Sequence, residues 1–224
     1  MLAWVIKPLQ FRFQIAQLPR ARFLAATALS VLKPRFKRTL RPVARRLVLA
    51  GFTANQITVC SLIGSIAVGA VLATGGAAHP TLYGLLPAWL LLRMVLATLD
   101  GTMAQDFGQK SRVGGILNEV GDVISDMALY MPLALVAPLS PKWVAIVVVF
   151  AVEAEIVGIA VERLGGGRRV EGPMGKADRS IVFGAIGAWL ALAGSLPTYM
   201  TCVMPVLAVM LVLTIANRLR FAGV

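Results

Sequence analysis

The stretch Asp100–Asp126, DGTMAQDFGQKSRVGGILNEVGDVISD, gathers Asp100, Asp106, Glu119, Asp122 and Asp126, five of the chain's ten acidic residues, between two apolar runs. Carboxylates at the ends of membrane helices are unfavourable unless paired, hydrated or bound to a cation, so the segment reads as a functional site. The rest of the chain supplies the membrane. Of 224 residues 58% are hydrophobic and only 14% charged, where a soluble domain has about a quarter charged.

The net charge of +12 is unevenly spread, with eleven of the 22 Lys and Arg residues in the first 50 positions and no acid before Asp100. In a membrane protein such an arm meets anionic lipid headgroups, and no nucleic-acid partner is expected. Cys60 and Cys202 fall inside apolar runs, which predicts packing rather than a disulfide or a metal site.

Residues 1–50 read as a basic juxtamembrane arm and residues 51–224 as a membrane domain. From Pro34 onward Phe36, Leu40, Val43 and Leu47 recur at steps of four, three and four, with Lys37, Arg38, Arg41, Arg45 and Arg46 on the other side. This predicts an amphipathic helix lying at the membrane interface and kinked at Pro42, the alternative being a solvated basic tail. Six apolar segments follow, at 57–74, 82–99, 115–137, 143–161, 180–196 and 199–216. Each is near the roughly 20 residues a spanning helix needs, so the expected fold is an all-α integral membrane protein of six transmembrane helices.

The loops test that topology. Lys110 and Arg112 lie between the second and third segments; Arg163, Arg168, Arg169, Lys176 and Arg179 lie between the fourth and fifth; Arg218 and Arg220 follow the sixth. The three opposite loops hold only Lys142. The positive-inside rule then puts both termini and the acidic stretch on the cytoplasmic side.

Within the third segment Asn118, Asp122 and Asp126 are spaced by four and Glu119 stands three before Asp122, which lines all four along one helix stripe. In the second segment Arg93, Ala97 and Asp100 share a face, and the short connection predicts that the two helices are antiparallel neighbours. Clustered carboxylates repel, and a hard divalent cation with oxygen ligands, Mg2+ or Mn2+, suits a set of Asp and Asn without His or Cys. The alternative is an Arg93–Asp100 ion pair with the remaining carboxylates facing water. Glu153 and Glu155 interrupt the fourth segment, where a buried carboxylate costs about 2.5–3.5 kcal/mol, so at least one should face the bundle interior. Asp178, between Lys176 and Arg179, is expected to orient those two cations.

Asp100-Gly101-x-x-Ala104, followed after Gln105 and eight residues by Gly114-x-x-x-Asn118-x-x-x-Asp122, resembles the signature of the CDP-alcohol phosphotransferase family, D-x-x-D-G-x-x-A-R-x8-G-x-x-x-D-x-x-x-D, without gaps. Thr53-Ala54-Asn55-Gln56-Ile57-Thr58 is similar to the family's P-N-x-[IL]-T stretch, and Gly172-Pro173-Met174-Gly175-Lys176-Ala177-Asp178-Arg179 to its basic Gly-Lys stretch. The block from Leu117 to Pro132 resembles that of a bacterial branch, LNE-x-GD-x-xSD-x-ALY-x-P. The likeness covers roughly residues 35–220.

The resemblance implies a bacterial cytoplasmic membrane protein, often a homodimer, that moves a phosphatidyl group from a CDP-linked lipid such as CDP-diacylglycerol to an alcohol acceptor with release of CMP. It implies divalent metal at Asp100, Asn118, Asp122 and Asp126, with Asp122 as the base that activates the acceptor hydroxyl. Asn55, Gly101, Ala104, Gly114, Lys176 and Arg179 fall at substrate-binding positions. Three positions depart from the signature: Ala97 and Asn118 stand where aspartates belong and Gln105 where an arginine belongs. Glu119 or Asp126 is placed to compensate for a missing carboxylate by a small helix rotation. Rival readings are a non-catalytic lipid- or nucleotide-binding descendant, for which Ala97 argues, and a small transporter, against which the clustering of acids at one membrane face argues.

Overall fold

The computed structural model describes residues 28–163 and 172–220; the first half of the basic arm, and Arg168 and Arg169, lie outside them. Among the described residues the chain forms helices and no strands: α1 (Ala28–Leu49), α2 (Ala54–Gly75), α3 (Leu85–Asp106), α4 (Arg112–Tyr130), α5 (Pro141–Val161), α6 (Lys176–Ala193) and α7 (Val203–Arg220). Short 3-10 turns at Pro80–Gly84, Met131–Leu135 and Thr198–Cys202 adjoin α3, α4 and α7.

Each of the six apolar segments carries a helix. Among the described residues four stretches are long and apolar enough to cross a membrane: Ala54–Gly75, Pro80–Asp106, Pro141–Val161 and Thr198–Arg220. The other two helices, α4 and α6, are 19 and 18 residues long and carry the polar groups of interest. In α4 these are Arg112, Glu119, Asp122 and Asp126; in α6 they are Lys176, Asp178 and Arg179. The segment expected to run to 137 ends as α-helix at Tyr130 and continues as the 3-10 turn Met131–Leu135, in which Pro132 has no amide hydrogen to extend the α-helical ladder.

Helix starts follow local chemistry. At α2 the Thr53 hydroxyl accepts from the Gln56 amide at 3.3 Å while the Gln56 side chain accepts from the Thr53 amide at 2.8 Å. This reciprocal cap satisfies two amides that the first turn leaves unpaired. Ser111 caps α4 through the Gly114 amide at 2.9 Å, and Asp178 reaches back to the Gly175 amide at 2.9 Å to begin α6.

Expected as direct neighbours, α3 and α4 instead pack chiefly on α2, which both of them contact extensively. Only residues 107–111 join them, but small residues admit α2 between their backbones. A Cβ on Gly69 of α2 would lie 2.2 Å from the Ala128 carbonyl oxygen of α4. On the other side of the bundle α5 packs on α7, and α6 on α3. The main core includes Leu72, Tyr83, Leu86, Leu129, Met204 and Leu211. Within it the Tyr130 and Phe183 rings stack with centroids 3.9 Å apart.

The basic helix α1 runs through Pro42 and packs on α3. Its inward face carries Leu40, Ala44 and Leu47, set against Ile57, Leu99 and Met103. Ala44 is fully buried and Val43 is 43% exposed, so Leu40 and Leu47 of the Phe36–Leu40–Val43–Leu47 spacing face inward while Ala44 takes the place of Val43. The cysteines are free, as expected, but both are exposed rather than packed in the core.

Candidate active site

The acidic stretch lies at the end of the bundle where α3 stops and where α2, α4 and α6 begin. On α3, Asp100 is 7% exposed, and one of its carboxylate oxygens accepts from the Thr58 hydroxyl of α2 at 2.8 Å. Thr58 also faces α4, because a Cβ on Gly121 would come 3.9 Å from its methyl group. Through this threonine α2 bridges Asp100 and the turn that carries Asp122, and the two carboxylates are electrostatic neighbours. Thr58 closes the Asn55–Thr58 stretch, yet the sequence gave it no individual role.

Arg93, two turns before Asp100 on α3, is 7% exposed and spans two carboxylates of α4. Its Nη1 donates to Asp126 Oδ1 at 2.7 Å and its Nη2 to Asp122 Oδ1 at 3.0 Å. The alternative Arg93–Asp100 pair is therefore not the one formed; the guanidinium leaves its own helix. The second oxygen of Asp122 meets the Lys176 ammonium, and the second oxygen of Asp126 accepts from Arg179 Nη2 at 3.3 Å. Arg179 also donates to Glu155 of α5 at 2.9 Å, which identifies the inward-facing acid of that helix. Glu153 is exposed.

These cations are not equivalent. Arg179 is 1% exposed, and its Nε and Nη1 find no partner among the described residues. A buried donor without a partner is costly, so this guanidinium is poised toward an anion. The Lys176 side chain is 38% exposed on a flexible stem. The loop before it is anchored by the Met174 amide, which donates to Thr214 Oγ1 of α7 at 3.0 Å. Gly172 has a φ of 143°, and a Cβ there would lie 2.5 Å from the Thr214 methyl group. Among the described residues Asp178 forms no ion pair with Lys176 or Arg179; it serves them indirectly, by capping the helix that bears them.

The other predicted positions are distributed around this centre. Asn55 and Gly114 touch across α2 and α4: a Cβ on Gly114 would meet Asn55 Oδ1 at 2.5 Å. A Cβ on Gly101 would meet nothing within 4 Å, which leaves open space beside Asp100. Ala104 packs instead toward α1, in the cluster with Ala44 and Met103. Asn118 and Glu119 are half-buried on α4. Gln105, at the arginine position of the signature, accepts from Lys37 of α1 at 3.2 Å, and Asp106 pairs with Lys37 at 2.8 Å and with Arg41 at 3.3 Å. Part of the basic face of α1 is thus committed to the protein rather than to lipid.

The donor set can be compared with what a divalent cation requires. Among the described residues no three His, Cys, Asp or Glu side chains are grouped to hold a metal ion. Both oxygens of Asp122 and both of Asp126 face side-chain cations, and Ala97 has no ligand to give. In this arrangement Asp100, Asn118, Asp122 and Asp126 do not fit a shared divalent ion.

The profile of the CDP-alcohol phosphatidyltransferase family matches residues 52–216. Inner membrane protein YnbA of Escherichia coli is 36% identical over 189 residues, which is 84% of this chain and 93% of that protein. The crystal structure of Mycobacterium tuberculosis phosphatidylinositol phosphate synthase with CDP-DAG bound superposes with a TM-score of 0.67 at 24% identity, covering 83% of this chain and 94% of that one. The same enzyme in complex with manganese and citrate gives a TM-score of 0.65 at 24% identity, over 81% and 88%. The structural likeness speaks for the fold. Together with the sequence match across the acidic stretch, it means that this membrane protein belongs to the CDP-alcohol phosphatidyltransferase family.

Proposed function

We propose that the chain transfers the phosphatidyl group of a CDP-linked lipid, CDP-diacylglycerol, to the hydroxyl of an alcohol acceptor and releases CMP. The observation that carries this reading is the convergence of Asp100, Asp122 and Lys176 at one end of the bundle, on three helices that the family profile spans. The acceptor oxygen forms a bond to the phosphorus that bears the diacylglycerol, and the bond from that phosphorus to the bridging oxygen breaks. The electron pair leaves with CMP. Asp122 takes the hydroxyl proton, a role that requires Lys176 to turn from it toward the diphosphate. Positioning and charge stabilisation dominate phosphoryl transfer, and Arg179 has two donors to offer a substrate phosphate. Gly101, next to Asp100, has open space around it, and Asn55 and Gly114 touch where α2 and α4 begin.

The same reading takes α4 and α6 as spans beside the four apolar ones, giving six, with α1 at the interface among anionic lipids and both termini cytoplasmic. The basic loops support that orientation. YnbA's description as an inner membrane protein supports a bacterial cytoplasmic membrane, and a homodimer is the family expectation. A second reading, a binding protein that no longer catalyses, is favoured by Ala97 and by the hold of Arg93 on Asp122.

Purified protein supplied with CDP-diacylglycerol and a panel of water-soluble polyols and lipid alcohols should release CMP, and Asp122→Asn should not. Tight binding of CDP-diacylglycerol without CMP under any acceptor would favour the binding protein. Absence of both would sink both readings.

A further inference from the structure

The acidic cluster has changed in two ways relative to the family signature, and the changes compensate. Two aspartates are lost, to Ala97 and Asn118, and a guanidinium is present in their midst. Arg93 stands one helical turn before Ala97 on the same face of α3, and it occupies the Oδ1 atoms of both Asp122 and Asp126. Lys176 and Arg179 occupy the Oδ2 atoms. Arg93, Lys176 and Arg179 thereby surround Asp122 and Asp126, with Glu155 sharing Arg179 and Asp100 held by the Thr58 hydroxyl.

A divalent ion binds carboxylate oxygens directly, Mg2+ at about 2.0–2.1 Å with near-octahedral demands. An oxygen that accepts from a guanidinium nitrogen at 2.7–3.0 Å keeps a lone pair, but a divalent ion drawn to it would sit within a few ångströms of the permanent charge of Arg93 and be repelled by it unless the guanidinium leaves. Arg93 cannot leave cheaply. It is 7% exposed, and withdrawing it would leave Asp126, itself only 5% exposed, with the longer 3.3 Å contact to Arg179, a cation that Asp126 shares with Glu155. Guanidinium is also a group well suited to this duty, being permanently charged and able to present parallel donors to oxygen anions.

We infer that Arg93, with Lys176, does in this chain what a resident divalent cation would do, so that the site receives the diphosphate of its CDP-linked lipid with side-chain charge alone. The fixed charge is Arg93, which keeps Asp122 and Asp126 together. The movable one is Lys176, which can exchange Asp122 for a phosphate oxygen. The substrate class rests on the reading given under the proposed function; the composition of the charge cluster does not.

The test uses the full chain in nanodiscs after exhaustive EDTA treatment. Mn2+ alone is titrated and followed by electron paramagnetic resonance, and CDP-diacylglycerol binding is measured in EDTA and in Mg2+. The wild type should show no stoichiometric Mn2+ site, and lipid affinity in the two buffers should agree within about threefold. The combination Arg93→Leu, Ala97→Asp and Asn118→Asp, which rebuilds the carboxylate set, should gain Mn2+ binding. One Mn2+ per wild-type chain, lost in Asp122→Asn, would overturn the inference whatever the activity, and that measurement needs no variant to fold other than the conservative control. Failure to bind CDP-diacylglycerol in either buffer would instead overturn the substrate reading, while the Mn2+ titration still decides the charge cluster.

Discussion

Arg93 and Asp126, on different helices and both almost fully buried, meet at 2.7 Å. The same guanidinium holds Asp122, so one side chain ties α3 to two successive turns of α4 although their backbones pack chiefly on α2. Breaking a buried ion pair by removing one partner typically costs about 3–5 kcal/mol. Asp126→Leu should therefore lower the thermal midpoint in detergent sharply, since it leaves Arg93 with Asp122 alone and deprives Arg179 of one of its two acceptors. Arg93→Lys should not behave as a conservative change, because an ammonium cannot present the fork that spans both carboxylates.

Asp122 is the carboxylate to remove when chemistry and folding are to be separated. Its side chain is 23% exposed, and Arg93 keeps Asp126 when it is lost. Asp122→Asn should reduce CMP release by about 10²–10⁴-fold, the usual contribution of a positioned base. The thermal midpoint should move far less than in Asp126→Leu. A variant that retained wild-type turnover would remove Asp122 from the role of base.

Two glycines should respond oppositely to alanine. Gly69→Ala would drive a methyl group against the Ala128 carbonyl at 2.2 Å and force α2 away from α4, at the about 1–3 kcal/mol typical of overpacking. Gly101→Ala meets nothing within 4 Å and gains helix propensity. It should leave thermal stability unchanged or raised, yet weaken CDP-diacylglycerol binding by filling space beside Asp100. Equal effects of the two changes on stability, or none of Gly101→Ala on lipid binding, would contradict this division.

The clasp of α1 on the end of α3 should be weak and sensitive to salt. Lys37 and Arg41 meet Asp106 near the surface, where water and salt screen an ion pair. Asp106→Asn should raise hydrogen exchange along the first turns of α1 with little change in the global thermal midpoint. High salt should reproduce the effect in the wild type.

Much of this architecture can be read from the sequence, because apolar length marks helices and a spacing of four marks a stripe. The Asn118–Asp122–Asp126 line and the six apolar segments are of that kind. Spacing says nothing, however, about which helix lies between two others. Arg93 looks like a partner for Asp100 when only its own helix is considered, and its true partners appear only once α2 has separated α3 from α4 by the width that a long side chain can bridge. Gly69 is the local signal for that insertion, but a small residue in an apolar helix has many uses. On α1 the spacing places Leu40 and Leu47 correctly but not the position between them, where Ala44 is buried and the more apolar Val43 is exposed. Lys37 and Gln105, 68 residues apart, gave no sign of each other.

The bond from the Met174 amide to Thr214 has a bearing on how the site can move. It stakes the root of α6 to α7, so the Lys176 backbone is held in place. What remains free is a four-carbon tether ending in an ammonium. The site should work like a switch arm on a fixed post, redirecting one charge between Asp122 and an incoming phosphate, and a change at Thr214, some forty residues downstream, should be felt as a misplaced post.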